Sequence, residues 1–252
     1  MQGVLYVSHG TRLSEGEKEA VDFLTSIQSS IDAPLQEICF LEILPPTIEQ
    51  GVTSLIEKGA TKIAVVPILL LTATHAKSDI PDELVELKES YPTITFTYGK
   101  PLGIQPRIID ALVDRINEQV PNIPEEAEIL LVGRGSYDPK TIEDINTIAS
   151  QLSQRVNRKV DCSYLAASKP SFDDAMERIE EESKSLTIIV PYLWFNGLLI
   201  QSMKKKVADK ANIVLCEHLG HHPNMKACLV DRVKESMVLP FEQEKESSPH
   251  SE

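Results

Sequence analysis

Val4-Leu5-Tyr6-Val7-Ser8-His9-Gly10-Thr11-Arg12 is the stretch from which the fold can be read. Apolar residues run straight into a His-Gly pair. Ser14-x-x-Glu17 follows, the spacing of a capping box in which two side chains satisfy free donors at a helix start. Ala20, Phe23, Leu24, Ile27 and Ile31 then recur on one face, which predicts a helix over 14–31. His9 is therefore expected where a buried strand stops and a helix begins. In an open parallel sheet that edge is where ligands bind. A turn histidine without function would look the same in this stretch alone, so the rest of the chain has to decide.

Working outward, a strand is expected over 36–43, with Glu42 at its end and Pro45-Pro46 stopping it. Thr47-x-x-Gln50 offers a second capping box, and Gly59 a C-terminal stop for the helix between them. Residues 61–71 are almost continuously apolar, as a parallel strand covered on both faces reads, although Pro67 suggests a bulge or the strand's end. Thr72 to Pro81 contains His75, Lys77 and Asp79, with Asp79 a candidate cap for a helix bearing Leu84, Leu87 and Tyr91. A fourth strand over 93–98, ending near Lys100, and a helix over 105–118 complete a strand–helix alternation. That alternation predicts a parallel sheet with helices on both faces.

After Pro121 to Pro124 the pattern begins again. Ile129 to Ser136 restates the opening with Arg134 in the place of His9, and Cys162 to Ala166 restates Cys39 to Glu42. Ile188 to Leu193 restates Ala64 to Leu69, and Leu219-Gly220-His221-His222-Pro223 restates Leu102-Gly103-Ile104-Gln105-Pro106. Asp114-Arg115 and Asp231-Arg232 follow those prolines at equal spacing. Two copies of one α/β lobe are expected, each with a four-stranded parallel sheet flanked by helices, over 1–119 and 126–238. Residues 239–252 are polar and aperiodic, and read as a disordered tail.

Composition narrows the classes. The chain is 42% hydrophobic and 25% charged, with net charge −13, a balance that disfavours a nucleic-acid partner. Neither G-x-G-x-x-G nor a Walker motif occurs, so ATP- or NAD-dependent chemistry has no support. No apolar run approaches the roughly 20 residues of a membrane-spanning helix. Residues 1–8 lack the charged start of a signal peptide. Cys39, Cys162, Cys216 and Cys228 have no metal-ligand spacing. With no export signal read, a reducing, cytoplasmic setting is expected.

His9, Glu42 and His75 are all expected on the carboxyl edge of the first sheet. Two imidazoles and a carboxylate suit a borderline divalent metal, and the same groups can act as bases near neutral pH. The second copy has Arg134, Ala166 or Leu165, and Leu199 at these positions, which suggests one active half and one supporting half. His218, His221 and His222 are expected to line a cleft or cap a helix. Tyr192, Trp194 and Phe195 are expected to pack in the core.

These stretches, with Pro46-Thr47-Ile48-Glu49, Val65 through Pro81 and Gly133-Arg134-Gly135-Ser136, resemble the sirohydrochlorin ferrochelatases, within the class II chelatase family that includes cobalt chelatases. Thr11 departs from the serine of many relatives but keeps the hydroxyl. The resemblance implies a two-lobed monomer with an active-site cleft between lobes and no use of ATP. It implies insertion of Fe²⁺ into sirohydrochlorin, with Co²⁺ as a possible substitute. The family's two active-site histidines fall on His9 and His75 and its glutamate on Glu42, as metal ligands and proton acceptors. The substrate's carboxylates call for local cations, and Arg12, Lys77, Lys100 and Arg134 are the candidates, Arg134 foremost because a guanidinium grips a carboxylate with two bonds. A cobalt chelatase of cobalamin synthesis and a non-catalytic tetrapyrrole or metal carrier are the alternatives. A hydrolytic metalloenzyme is disfavoured, since no H-E-x-x-H occurs.

Overall fold

Two parallel sheets carry the chain in the computed structural model, which describes residues 1–72, 75–182, 185–239 and 241, with His75 and Glu182 through their backbone alone. β1 (Gln2–Ser8), β2 (Leu35–Phe40), β3 (Lys62–Ile68) and β4 (Thr95–Tyr98) stand in the order β2-β1-β3-β4. β5 (Glu128–Gly133), β6 (Val160–Tyr164), β7 (Thr187–Tyr192) and β8 (Ile213–Leu215) repeat that order as β6-β5-β7-β8. The first lobe has α1 (Ser14–Gln28), α2 (Ile48–Glu57), α3 (Ile80–Ser90) and α4 (Pro106–Gln119). The second has α5 (Pro139–Val156), α6 (Phe172–Glu182), α7 (Leu198–Val207) and α8 (Pro223–Ser236). The two four-stranded parallel sheets expected from the sequence are present.

Strand alternation sorts the core. In β1, Val4 and Tyr6 point to one side and Leu5 and Val7 to the other, and in β5 Ile129 and Leu131 separate likewise from Leu130 and Val132. The outer faces pack against α2 and α3 in one lobe and against α6 and α7 in the other. The inner faces of both sheets share a single core with α1, α4, α5 and α8. α8 also lies against β3 and α4 against β7, so each lobe's last helix reaches the other lobe's sheet. Each fully buried Leu, Ile or Phe there contributes about 1.5–3 kcal/mol. The lobes are thus joined by a shared core as well as by the chain between them.

Local chemistry agrees with most of the expected boundaries. Thr47 and Gln50 form the full capping box, with Gln50 N–H donating to Thr47 Oγ1 (3.3 Å) and Thr47 N–H to Gln50 Oε1 (3.0 Å). The box expected at Ser14 and Glu17 does not form. The chain turns one residue earlier, with Leu13 at the cap, and Glu17 N–H donates to the Leu13 carbonyl (3.1 Å). Pro67 lies inside β3, opposite Val7, and neither bulges nor ends the strand. It shares its strand side with Val65 and Leu69, whose carbonyls accept from Gly99 (2.8 Å) and Leu102 (3.0 Å), so the missing N–H leaves out one bond between two that are made. Pro191 repeats this in β7, opposite Val132. Of the expected tail, Leu239 and Phe241 are described, and Phe241 packs edge-on against Tyr98; the remainder lies outside the described residues. No helix among the described residues is long and apolar enough to cross a membrane.

Candidate functional site

The β1–β2 ladder continues past both strands. Leu41 N–H donates to the Ser8 carbonyl (2.8 Å) and Glu42 N–H to the His9 carbonyl (3.1 Å). Glu42 therefore lies two residues beyond β2 rather than at its end, because the chain folds back on itself there, with Phe40 N–H donating to the Pro46 carbonyl (2.9 Å). Gly10 has φ 94°, and a Cβ on it would run into the Glu42 carbonyl oxygen. Only glycine allows the two loops this approach. His9 is half-buried at the junction, while Glu42 and Arg12 are exposed.

The second lobe repeats the loop without its imidazole and carboxylate. Leu165 N–H donates to Gly133 (3.0 Å) and Ala166 N–H to Arg134 (2.8 Å), and Gly135 has φ 87° with its open side against the Ala166 carbonyl. This bonding resolves the alternatives left by the sequence: Ala166, not Leu165, occupies the place of Glu42, as Arg134 occupies that of His9. The backbone device is kept in both lobes, whereas the imidazole and carboxylate are found in one.

β3 adjoins β1 and leads to a π-helix over His75–Asp79 that runs straight into α3. The expected cap at Asp79 is replaced by this continuous helix, in which Asp79 is itself helical. Single π turns within helices are frequent at functional sites. Tyr98 OH donates to the Ala76 carbonyl (3.0 Å) and ties the turn to β4. Ala73, Thr74 and the His75 ring lie outside the described residues.

The carboxyl edges of the two sheets meet. Lys77 Nζ, on the π turn, lies 2.6 Å from Asp138 Oδ2 at the start of α5. Thr141 Oγ1 donates to the Thr72 carbonyl (3.5 Å). On the other flank, Glu19 of α1 accepts from Asn196 N–H (2.6 Å) and sits 2.7 Å from His218 Nε2. Burial disfavours a charge on Glu19, but the bonds from His218 and Asn196 prevail and hold its carboxyl below the ordinary value. Arg134, at the end of β5, is exposed on this shared edge. Lys100 is exposed at the end of edge strand β4, with β3 between it and β1, on the order of 10 Å across the sheet. Lys77, a candidate for substrate carboxylates, is already engaged by Asp138.

The remaining candidates make contacts within the fold. His222 Nδ1 accepts from Asn224 N–H (3.2 Å) and caps α8, His218 pairs with Glu19, and His221 lies edge-on to Phe23. Trp194 is buried, stacked on Phe195 and edge-on to Phe23. Burial pushes the Cys162 and Cys228 thiols up to about 11 and Cys216 to about 12, so they stay protonated at neutral pH. Among the described residues no group of three or more His, Cys, Asp or Glu forms a metal cage.

Sequence reasoning missed Glu19 and Asp138. Glu19 flanks the buried stripe of α1, four residues before Phe23, which is the one available signal. Asp138 is the cap of α5, accepting from Lys140 N–H (2.9 Å), and its capping position before Pro139 could have been read.

The CbiX family matches residues 3–119 and 128–236. The sirohydrochlorin ferrochelatase of Priestia megaterium is 42% identical over 239 residues, covering 93% of this chain and 90% of that protein. A sirohydrochlorin cobaltochelatase of the same organism is 33% identical over 248 residues, covering 94% and 80%. A structure of SirB from Bacillus subtilis with Fe³⁺ superposes with TM-score 0.84 at 39% identity, covering 94% of this chain and 96% of that one. With both sheets, the shared edge and these likenesses in agreement, the chain belongs to the CbiX family of sirohydrochlorin chelatases.

Proposed function

We propose that this protein is a sirohydrochlorin ferrochelatase, inserting Fe²⁺ into sirohydrochlorin without ATP and releasing the two inner N–H protons. Metal and macrocycle are both substrates. The reaction needs groups that loosen the metal's water and accept protons as the ring nitrogens take over. His9, His75 and Glu42 are our assignment for both tasks, as transient ligands and as bases. An open, incomplete ligand set suits a metal that must be handed on. Arg12, Arg134 and Lys100 are assigned to the substrate's peripheral carboxylates, in a cleft between the lobes. A protein of net charge −13 has to draw a polyanion with local cations.

The observation that carries this reading is the bond from Glu42 N–H to the His9 carbonyl, beside a glycine that no other residue can replace. It places an acid and an imidazole on touching loops. The lobe over 1–119 is read as carrying the chemistry and the lobe over 126–238 as supporting it, in a monomeric, cytoplasmic protein. Mixing the protein with sirohydrochlorin and Co²⁺ or Fe²⁺ and following the visible spectrum tests the reading, and a spectrum that never changes refutes it. Cobalt insertion is the second reading, favoured by the cobaltochelatase relative. The ratio of kcat/KM for the two metals decides between them.

A further inference from the structure

Most large apolar side chains are buried here, and those left open are not scattered. Apart from Met1 and Val238, near the ends of the described chain, the most exposed are Ile43 (55%), Tyr137 (90%) and Leu198 (58%). Each stands just past the carboxyl end of a strand, after β2, β5 and β7 respectively. Ile43 follows Glu42. Tyr137 lies between Arg134 and Asp138, and Leu198 lies two residues past Asn196, which bonds to Glu19.

Ile43 is the most informative of the three. Leu44 N–H donates to the Glu42 carbonyl (2.8 Å), closing a three-residue γ-turn with Ile43 at its centre and φ 74°. The positive-φ γ-turn is rare and strained, and a β-branched residue is among the poorest choices for it. The second lobe makes the same turn, with Ser168 N–H donating to Ala166 (2.7 Å), but places Ala167 at its centre with φ 58°. The fold therefore needs the turn and not the isoleucine. An isoleucine that is both strained and exposed satisfies neither the backbone nor the core. Strain of this kind persists where it serves a site.

We propose that Ile43, with Tyr137 reaching from the opposite lobe, forms the apolar contact for the face of the tetrapyrrole ring. This rests on the chelatase reading and deepens it. A macrocycle of this class is flat, apolar on both faces and charged around its rim. The same edge offers apolar groups at Ile43, Tyr137 and Leu198, and cations at Arg12, Arg134 and Lys100. Held beside Glu42, Ile43 sets where the ring lies relative to the proton acceptor.

The test is equilibrium binding of sirohydrochlorin, without metal, to the wild type, Ile43→Ala, Ile43→Val and Tyr137→Ala. Ala167 shows that the turn accepts alanine, so Ile43→Ala folds. Its melting temperature is expected to equal or exceed that of the wild type, while its Kd rises about tenfold, the loss that one buried aliphatic side chain commands. Ile43→Val stays within about threefold, and Tyr137→Ala weakens binding. An Ile43→Ala Kd within twofold of the wild type overturns the inference, as does a wild type that binds no sirohydrochlorin. A wild type that binds sirohydrochlorin but inserts neither Fe²⁺ nor Co²⁺ sinks the chelatase reading alone, and the Ile43→Ala Kd still decides this one.

Discussion

Arg115 of α4 donates through Nη2 to the Leu219 carbonyl in the second lobe (3.1 Å), and Arg232 of α8 returns the bond to the Leu102 carbonyl in the first (2.9 Å). Each also holds a glutamate one turn on, Glu118 and Glu235. The exchange has the symmetry of the repeat, so the same Asp-Arg pair locks both directions of the interface. The side chains are 17% and 23% exposed, which leaves these bonds little competition from water. Replacing either arginine by methionine is expected to cost about 1–3 kcal/mol. For a chain of this size that lowers Tm by about 2–4 °C per kcal/mol in a thermal melt. A loss below the error of the melt would show that the exchange is ornamental.

Gly16 of α1 faces the Asn196 carbonyl so closely that a Cβ on it would collide. Gly16→Ala is expected to destabilise by about 1–3 kcal/mol, as overpacking does, although alanine is the better helix former. Denaturant titration measures it, and a stabilised variant would contradict the geometry.

His222 gives stability a pH dependence. Burial and the neighbouring Arg115 lower its pKa from 6.5, outweighing Asp114 and Glu118, which favour the charged ring. The neutral ring is also the form whose Nδ1 can accept the cap bond from Asn224. A depressed folded pKa means that this contribution is complete above pH 6.5 and is lost as the pH falls through the lowered folded value. The wild type is expected to melt progressively lower as the pH drops below about 6.5, the ordinary histidine pKa. His222→Asn, which can still cap, should show a flatter profile.

His9→Ala and His75→Ala are expected to abolish metal insertion while preserving circular dichroism and melting. Glu42→Gln should lower kcat/KM by about 10²–10⁴, the usual worth of a positioned base. The bond that fixes the Glu42 loop comes from the backbone, so its melt is expected to be unchanged. Full activity in any of the three removes that residue from the assignment.

Lys77→Ala cuts the tie between the π turn and Asp138. A half-exposed pair contributes at most about 1 kcal/mol, so stability should hardly move. Insertion is expected to slow, because His75 begins the segment that the bond anchors. An unaltered rate would mean that the π turn holds its place without the second lobe.

Much of this was legible before any coordinates. The two-copy architecture followed from matched landmarks such as Leu102-Gly103 and Leu219-Gly220. Parallel strands followed from apolar runs such as residues 61–71. The Thr47 box was legible because its groups lie within one helical turn. The Ser14 box failed for a related reason: Leu13 could take the cap, and a one-residue shift costs the sequence pattern nothing. Pro67 misled because a strand tolerates one missing N–H where the bonds on either side are made, and here Gly99 and Leu102 make them from a segment more than 30 residues later.

The chain's own order of residues determined that there would be two like sheets, that His9, Glu42 and His75 would leave the same edge of one of them, and that their counterparts would be missing from the other. Periodicity and strand direction are local properties, and they suffice for that. Tertiary structure alone decided that Glu19, Asp138, Arg115 and Arg232 would bind across the lobes, that Lys77 would be spoken for, and that Ile43 would be held outward in a strained turn. Those outcomes depend on which backbone carbonyls and charges come within about 3 Å of one another, hydrogen-bond range, and neither spacing nor composition encodes that distance.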